Sequence, residues 1–200
     1  DRVLLLALLA LLAVAASASP IRNYDYWWHL KTGALIVEKG EVPRVDPFSF
    51  TSAGEPWVDH EWLFQVLAYL GHTTLGPAPL VLIKVACVLL LALLMAAQVR
   101  REGHRAAGTA LLTATALVGA SFRLDVRPEL ATLLGLPIVV WLALRARDEG
   151  RGRLLLLVPP VVGLWSNLHP GAILAPAVLA LGCAVTFLDE RFVLLSPGAG

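Results

Sequence analysis

Apolar residues fall into six runs of roughly helix length, separated by short polar segments and by one long polar segment. The runs cover residues 3–18, 77–99, 106–121, 128–146, 154–165 and 171–188. A helix needs about 20 residues to cross a bilayer, with a range of roughly 17–25. The pattern predicts an all-α, polytopic transmembrane helix bundle. We expect residues 1–200 to form a single domain, the N-terminal fragment of a longer protein.

Two of the runs leave alternatives open. The first run is short, and residues 16–19 resemble the small-residue cleavage site of a signal peptide, so it is either a transmembrane helix or a signal peptide. The fifth run contains Pro159 and Pro160, which kink or break a helix.

Composition supports a membrane protein. Hydrophobic residues make up 58% of the chain, the mean hydropathy is +0.73, and only 16% of residues are charged, against about a quarter in soluble domains. A net charge of +1 without a basic tract gives no indication of a nucleic-acid partner. Cys87 and Cys183 lie inside apolar runs, and we expect both to be buried as small hydrophobic residues.

The distribution of arginines predicts the orientation. One group, Arg100, Arg101 and Arg105, follows the second run, and a second group lies between residues 145 and 153. Loops rich in basic residues remain in the cytoplasm. Residues 19–76 then form a long extracytoplasmic first loop. This threading places on one outer face Asp25, His29, Asp46, Asp59, His60, Glu61, Arg123, Asp125, Arg127, Asn167 and His169.

The long loop concentrates four of the six tryptophans. Its first part, Asp25–Lys39, has helical character, with Asp25, His29 and Thr32 on one face, and we expect amphipathic helices lying in the membrane interface. A second helix is predicted over 60–70, and Asp59 either caps it or belongs to the site. His60 and Glu61 do not begin a zinc-protease motif, because Phe64 stands where H-E-x-x-H requires a second histidine.

Basic residues on the outer face indicate an anion site. Arg123 and Arg127 are suited to binding phosphate, or they pair with neighbouring acids such as Asp125 and Glu129. Lys84, in the outer third of the second run, either extends outward or meets the same anion.

Four segments together carry a family resemblance: YDYWWHLKTGALIVEKG, VDPFSFTSAGEPWVDHEWL, RLDVRPEL and LWSNLHPG. They resemble a group of bacterial polytopic proteins of the GT-C superfamily, the integral-membrane glycosyltransferases that use polyprenyl-phosphate sugars as donors. The resemblance covers nearly the whole chain. It implies a GT-C-like fold in the bacterial inner membrane, within the cell envelope, with the active face periplasmic or extracellular.

The resemblance also implies roles for individual residues. Asp25 matches the first-loop acid that acts as catalytic base or coordinates a metal, and Lys84 and Arg127 match positions that meet the lipid phosphate. His60 and Glu61 fall where the second loop motif meets its helix. Asn23 stands where related sequences often have a second Asp. Since an amide binds metal less strongly than a carboxylate, a divalent cation (Mg²⁺ or Mn²⁺) at Asp25 is in doubt.

The leading hypothesis is an inverting transferase that moves a sugar from a polyprenyl phosphate to a glycan, lipid or protein acceptor. Its candidate catalytic residues are Asp25, Glu61 and His60, and its candidate substrate-binding residues are His29, Lys84, Arg123, Arg127, Asn167, His169, Trp28 and Trp57. The alternatives are a non-catalytic protein that binds lipid-linked glycans, a transporter, and a metalloenzyme using His29, His60 and His169.

Overall fold

The computed structural model describes residues 2–195 of the chain, with side-chain surroundings for residues 5–187. The described part is all-helical apart from one isolated bridge between Val45 and Pro56. The α-helices are α1 (Arg2–Ser17), α2 (Asp25–Lys39), α3 (Trp62–Leu75), α4 (Pro77–Arg101), α5 (Ala106–Ala120), α6 (Glu129–Asp148), α7 (Val158–Leu168) and α8 (Leu174–Leu195). Short 3₁₀ helices cover Ser121–Arg123, Gly152–Leu157 and Pro170–Ile173.

Three helical segments in the described residues are long and apolar enough to cross a membrane, where six runs were predicted. They are Pro77–Arg101, Glu129–Asp148 and Pro170–Phe187. The first run forms a shorter helix, α1, and the third forms the 15-residue α5. The fifth run divides into a 3₁₀ helix and the 11-residue α7, because Pro159 and Pro160 stand at the start of α7, where proline is tolerated.

Helix α1 belongs to the core of the bundle. Ala13 is fully buried and packs in one cluster with Val88, Ala92, Leu117 and Leu124, which come from α4, α5 and the segment before α6. The first apolar run therefore forms a helix that packs inside the bundle.

Helices α2 and α3, which lie between α1 and α4 in the sequence, pack against each other. Gly33 lies directly against the α3 backbone, where a Cβ atom would overlap the carbonyl oxygen of Gln65. Of the three residues predicted to share one face of α2, His29 and Thr32 are buried together with Leu30, whereas Asp25 is exposed. Helix α3 begins at Trp62, two residues later than the predicted start, so His60 and Glu61 precede it.

The two ends of the bundle differ in chemistry. At one end, Arg101 of α4 lies 3.2 Å from Asp148 and 3.8 Å from Glu149. These two contacts join the two arginine-rich loops. At the other end, the residues before α6 meet the residues after α1 through Asp125. The predicted separation of a basic end from a chemically diverse polar end is therefore present in the fold.

Helix α8 contacts the rest of the bundle over little of its described surface. Cys183 on this helix is exposed, contrary to the expectation that both cysteines are buried, while Cys87 is half-buried. Cys183 lies in an apolar run of the sequence. In the fold, however, α8 is an outer helix, and Cys183 is on its side that faces away from the protein core.

We predict that Gly33→Ala lowers stability by about 1–3 kcal/mol, since the added methyl group would overpack the α2–α3 contact. The new Cβ would lie 2.6 Å from the carbonyl carbon of Gln65 and 2.8 Å from Cβ of Tyr69. Thermal unfolding of the purified protein in detergent measures the change. Gly163→Ala is the matched control, because its Cβ would have no neighbour within 4 Å. Equal stability of the two variants would contradict the close approach.

Candidate functional site

A buried lysine fastens the chain around the polar end. Lys84 is completely buried, and its Nζ donates to the carbonyl oxygen of Ser19 at 2.9 Å and lies 3.5 Å from Oδ1 of Asp125. The other oxygen of Asp125 accepts from the backbone N–H groups of Arg22 and Asn23, each at 3.1 Å. The ammonium predicted to meet an outer anion is therefore engaged inside the protein and holds the exit of α1 against the segment before α6.

Asn23 organises the arginine next to this lysine. Its Oδ1 accepts from Nη2 of Arg127 at 2.7 Å and from the backbone N–H of Asp25 at 3.0 Å. Arg127 Nη2 also lies 3.5 Å from Oδ2 of Asp25, whose side chain is 66% exposed. The amide at position 23 thus orients the guanidinium of Arg127.

Glu61 lies between two imidazoles. Its Oε2 is 3.9 Å from Nδ1 of His29 on α2, and its Oε1 is 3.8 Å from Nε2 of His169 after α7. Asp59 orients the backbone here, since its Oδ1 accepts from the N–H of Glu61 at 3.1 Å and from Nε2 of Gln65 at 3.0 Å. Asp59 therefore organises the turn that presents Glu61 and is not the N-cap of α3, which is Glu61.

The environment of Glu61 favours its protonated form. Burial raises the pKa of Glu61 to about 7, with further upward contributions from the carboxylates of Glu129, Asp59 and Asp25. A carboxyl group with this pKa exchanges its proton near neutral pH, which is what a general acid or base requires.

Both neighbouring imidazoles are neutral at that pH. Burial lowers the pKa of His29 to about 4 and also lowers the pKa of His169. His29 is only 5% exposed, and its Nδ1, which faces Glu61, has no hydrogen-bond partner in the described structure. The site therefore offers one titrating carboxyl group flanked by two uncharged rings.

A hydrogen-bonded chain supports His169 from behind. Its Nδ1 lies 2.7 Å from Oγ1 of Thr132 and accepts from the backbone N–H of Gly171 at 3.0 Å. Thr132 Oγ1 in turn accepts from the indole N–H of Trp165 at 3.0 Å. Nearby, Asn167 accepts from the indole N–H of Trp62 at 2.9 Å and so links α7 to α3.

Several predicted site residues are exposed or have partners of their own. His60 is exposed, and Arg123 is half exposed and pairs with Glu129 at 3.0 Å. Trp28 and Trp57 form an aromatic cluster with Phe48 in which ring centroids lie 4.6–6.3 Å apart. Asp46 organises its own turn, accepting from the hydroxyl of Ser49 and from the N–H groups of Ser49 and Phe48, and these bonds lower the pKa of its carboxyl group.

The side chains do not assemble an evident metal centre. No group of three or more His, Cys, Asp or Glu residues arranged to hold a metal ion occurs in the described part of the chain, so His29, His60 and His169 do not form one. A cation at Asp25 would compete with the guanidinium of Arg127.

An apolar cavity of about 360 Å³ adjoins the polar end. It is lined by residues of the α1–α2 link, of α2 and α3, and of the start of α4, among them Ile21, Tyr26, Trp27, His72 and Val81. A larger groove of about 530 Å³ lies between α6 and α8 near Arg147, towards the basic end of the bundle. Of these two cavities, the smaller one lies at the polar end of the bundle.

Sequence analysis did not identify three residues that shape this site. Thr132 and Trp165 lie within apolar runs, and Gln65 lies on an apolar helix, so the sequence pattern does not mark them as site residues. A buried hydroxyl, indole N–H or amide requires a partner. That requirement was the available signal, but only the fold shows which partner each one finds.

We predict that Lys84→Met lowers stability by about 2–3 kcal/mol, because it leaves the Asp125 carboxylate without its ammonium partner. The variant should also lose the order of residues 19–23, detected as faster proteolysis of that link. Lys31→Met, on the exposed side of α2, is the control and should behave as wild type. If both variants unfold at the same temperature, the Lys84 contact does not fasten the two segments.

No protein-family model matches the chain, and no curated protein and no solved structure matches it.

Proposed function

We propose that this protein is a membrane glycosyltransferase that moves a sugar from a polyprenyl-phosphate donor to an acceptor hydroxyl. The observation that carries the proposal is Glu61, a carboxyl group with a pKa of about 7 held between His29 and His169. The resemblance of the loop motifs to the GT-C superfamily supplies the reaction class, and we infer a GT-C-like fold from it.

Glu61 rather than Asp25 takes the base role in this proposal. Sugar transfer requires removal of the acceptor's proton as its oxygen attacks the anomeric carbon. A new carbon–oxygen bond forms, the bond to the donor's phosphate oxygen breaks, and the proton passes to Glu61. Asp25 is paired with Arg127 and largely exposed, so it serves instead to position that guanidinium.

Arg127 is the group proposed to stabilise the departing lipid phosphate. A guanidinium matches the geometry of phosphate oxygens and offsets the charge that develops as the bond breaks. Asn23 and Asp25 hold it in place. The nearby apolar cavity beside Tyr26 and Trp27 has the character required by the first isoprenoid units.

The proposed site faces the periplasm or the cell exterior. The arginine-rich loops lie at the opposite end of the bundle, and loops of this composition remain in the cytoplasm. The donor lipid would then approach from the outer leaflet, in the bacterial inner membrane.

A non-catalytic protein that binds lipid-linked glycans is the second candidate. The observation that favours it is the occupied state of Arg127, whose Nη2 already contacts Asn23 and Asp25. A binder would hold polyprenyl phosphate without turnover.

We predict that Glu61→Gln lowers turnover by about 10²–10⁴-fold, the usual contribution of a general base. The assay follows release of polyprenyl phosphate when purified protein is incubated with a panel of polyprenyl-phosphate hexoses and acceptor glycans. Glu38→Gln, on the exposed end of α2, is the control and should retain full turnover. Full turnover by Glu61→Gln with loss in Asp25→Asn would return the base role to Asp25. Binding of polyprenyl phosphate with no release by wild type would indicate the second candidate.

The pH profile gives an independent prediction. Because the base must be ionised, kcat/KM should rise with pH and level off above about 7. Glu129 is the largest carboxylate contribution raising the pKa of Glu61, so Glu129→Gln should shift this acid limb to lower pH. A limb that does not move, or that moves upward, would show that another group titrates.

A further inference from the structure

The hydrogen-bonded chain behind His169 determines which of its ring nitrogens carries a proton. The backbone N–H of Gly171 can only donate, so Nδ1 of His169 must present its lone pair. The indole N–H of Trp165 can likewise only donate, so the oxygen of Thr132 accepts there, and its hydroxyl proton points to Nδ1. One assignment of protons satisfies all three contacts, with the single lone pair of Nδ1 shared between the Thr132 hydroxyl and the Gly171 N–H.

This assignment places the remaining ring proton on Nε2. Neutral His169 then directs an N–H donor towards Oε1 of Glu61, 3.8 Å away. Protonation of Nδ1 would set two donors, the ring N–H and the Gly171 N–H, against each other.

The titratable groups around the His169 ring are consistent with the neutral Nε2–H tautomer. The carboxyl groups near His169 are Glu61, before α3, and Glu129, on α6. Glu129 raises the pKa of His169, but burial, the larger effect, lowers it. His29, across Glu61, has no hydrogen-bond partner for its Nδ1 in the described structure, and burial lowers its pKa to about 4, so it stays neutral beside Glu61.

We propose that Thr132 is a positioning residue that holds His169 as the neutral Nε2–H tautomer, so that His169 presents an N–H group towards Glu61 and cannot itself act as the base. Proton acceptance is thereby confined to Glu61. The proton positions stand on the geometry alone, whereas their use in sugar transfer rests on the proposed function.

Nitrogen-15 NMR of histidine-labelled protein in detergent tests the assignment without any turnover assay, with His169→Gln identifying the signal. Wild type at pH 7 should show His169 neutral with hydrogen on Nε2. Thr132→Val removes the hydroxyl donated to Nδ1, so the pKa of His169 should rise by about 0.5–1 unit. Thr132→Ser, which keeps the hydroxyl, should restore the wild-type value.

Thr113→Val is the matched control, because Thr113 is also a fully buried threonine but lies on α5 with no partner for its hydroxyl in the described structure. It should leave the pKa of His169 unchanged.

A proton on Nδ1 in the wild-type protein would overturn the proposal, and this result does not require Thr132→Val to fold. A folded Thr132→Val variant that is less stable but keeps the His169 pKa would also overturn it, since Thr132 would then serve packing alone. Absence of sugar transfer with the predicted NMR result would overturn only the proposed function.

Discussion

The buried ammonium of Lys84 is the constraint on which the polar end of this protein depends. Burying a charged group away from water costs folding free energy unless the group is paired and hydrogen-bonded. The partners of Lys84 come from opposite sides of the site. Ser19 follows α1, while Asp125 precedes α6 and also binds the N–H groups of Arg22 and Asn23. Satisfying one lysine therefore brings two distant parts of the chain together.

The chemistry of the site follows from that joining. With residues 19–23 held against Asp125, Asn23 reaches Arg127, and α2 is placed so that His29 faces Glu61. The same arrangement surrounds Glu61 with carboxyl groups and removes it partly from water, and both effects raise its pKa. The fold thus holds a carboxyl group that titrates near neutral pH, at a cost in folding stability.

Hydrophobic patterning predicted the long helices α4, α6 and α8 because each is a long apolar run that needs no partner to be recognised. It also marked 154–165 as a run that Pro159 and Pro160 would kink or break, and there a 3₁₀ helix precedes α7, which begins at Val158. At the proposed site, residue type alone singled out Asp25, Glu61 and Arg127 as candidates. It could not assign the roles of Lys84 or Thr132, because those depend on contacts across 41 and 37 residues of sequence, with Asp125 and His169 respectively.

The most direct measurement of the central claim is an infrared titration of the Glu61 carboxyl group, taken as the difference between wild type and Glu61→Gln. The account predicts a protonated carboxyl band that is present at pH 6, reaches half intensity near pH 7 and is absent from the variant. A band already lost by pH 5 would contradict the account, because Glu61 would then be an ordinary ionised surface acid.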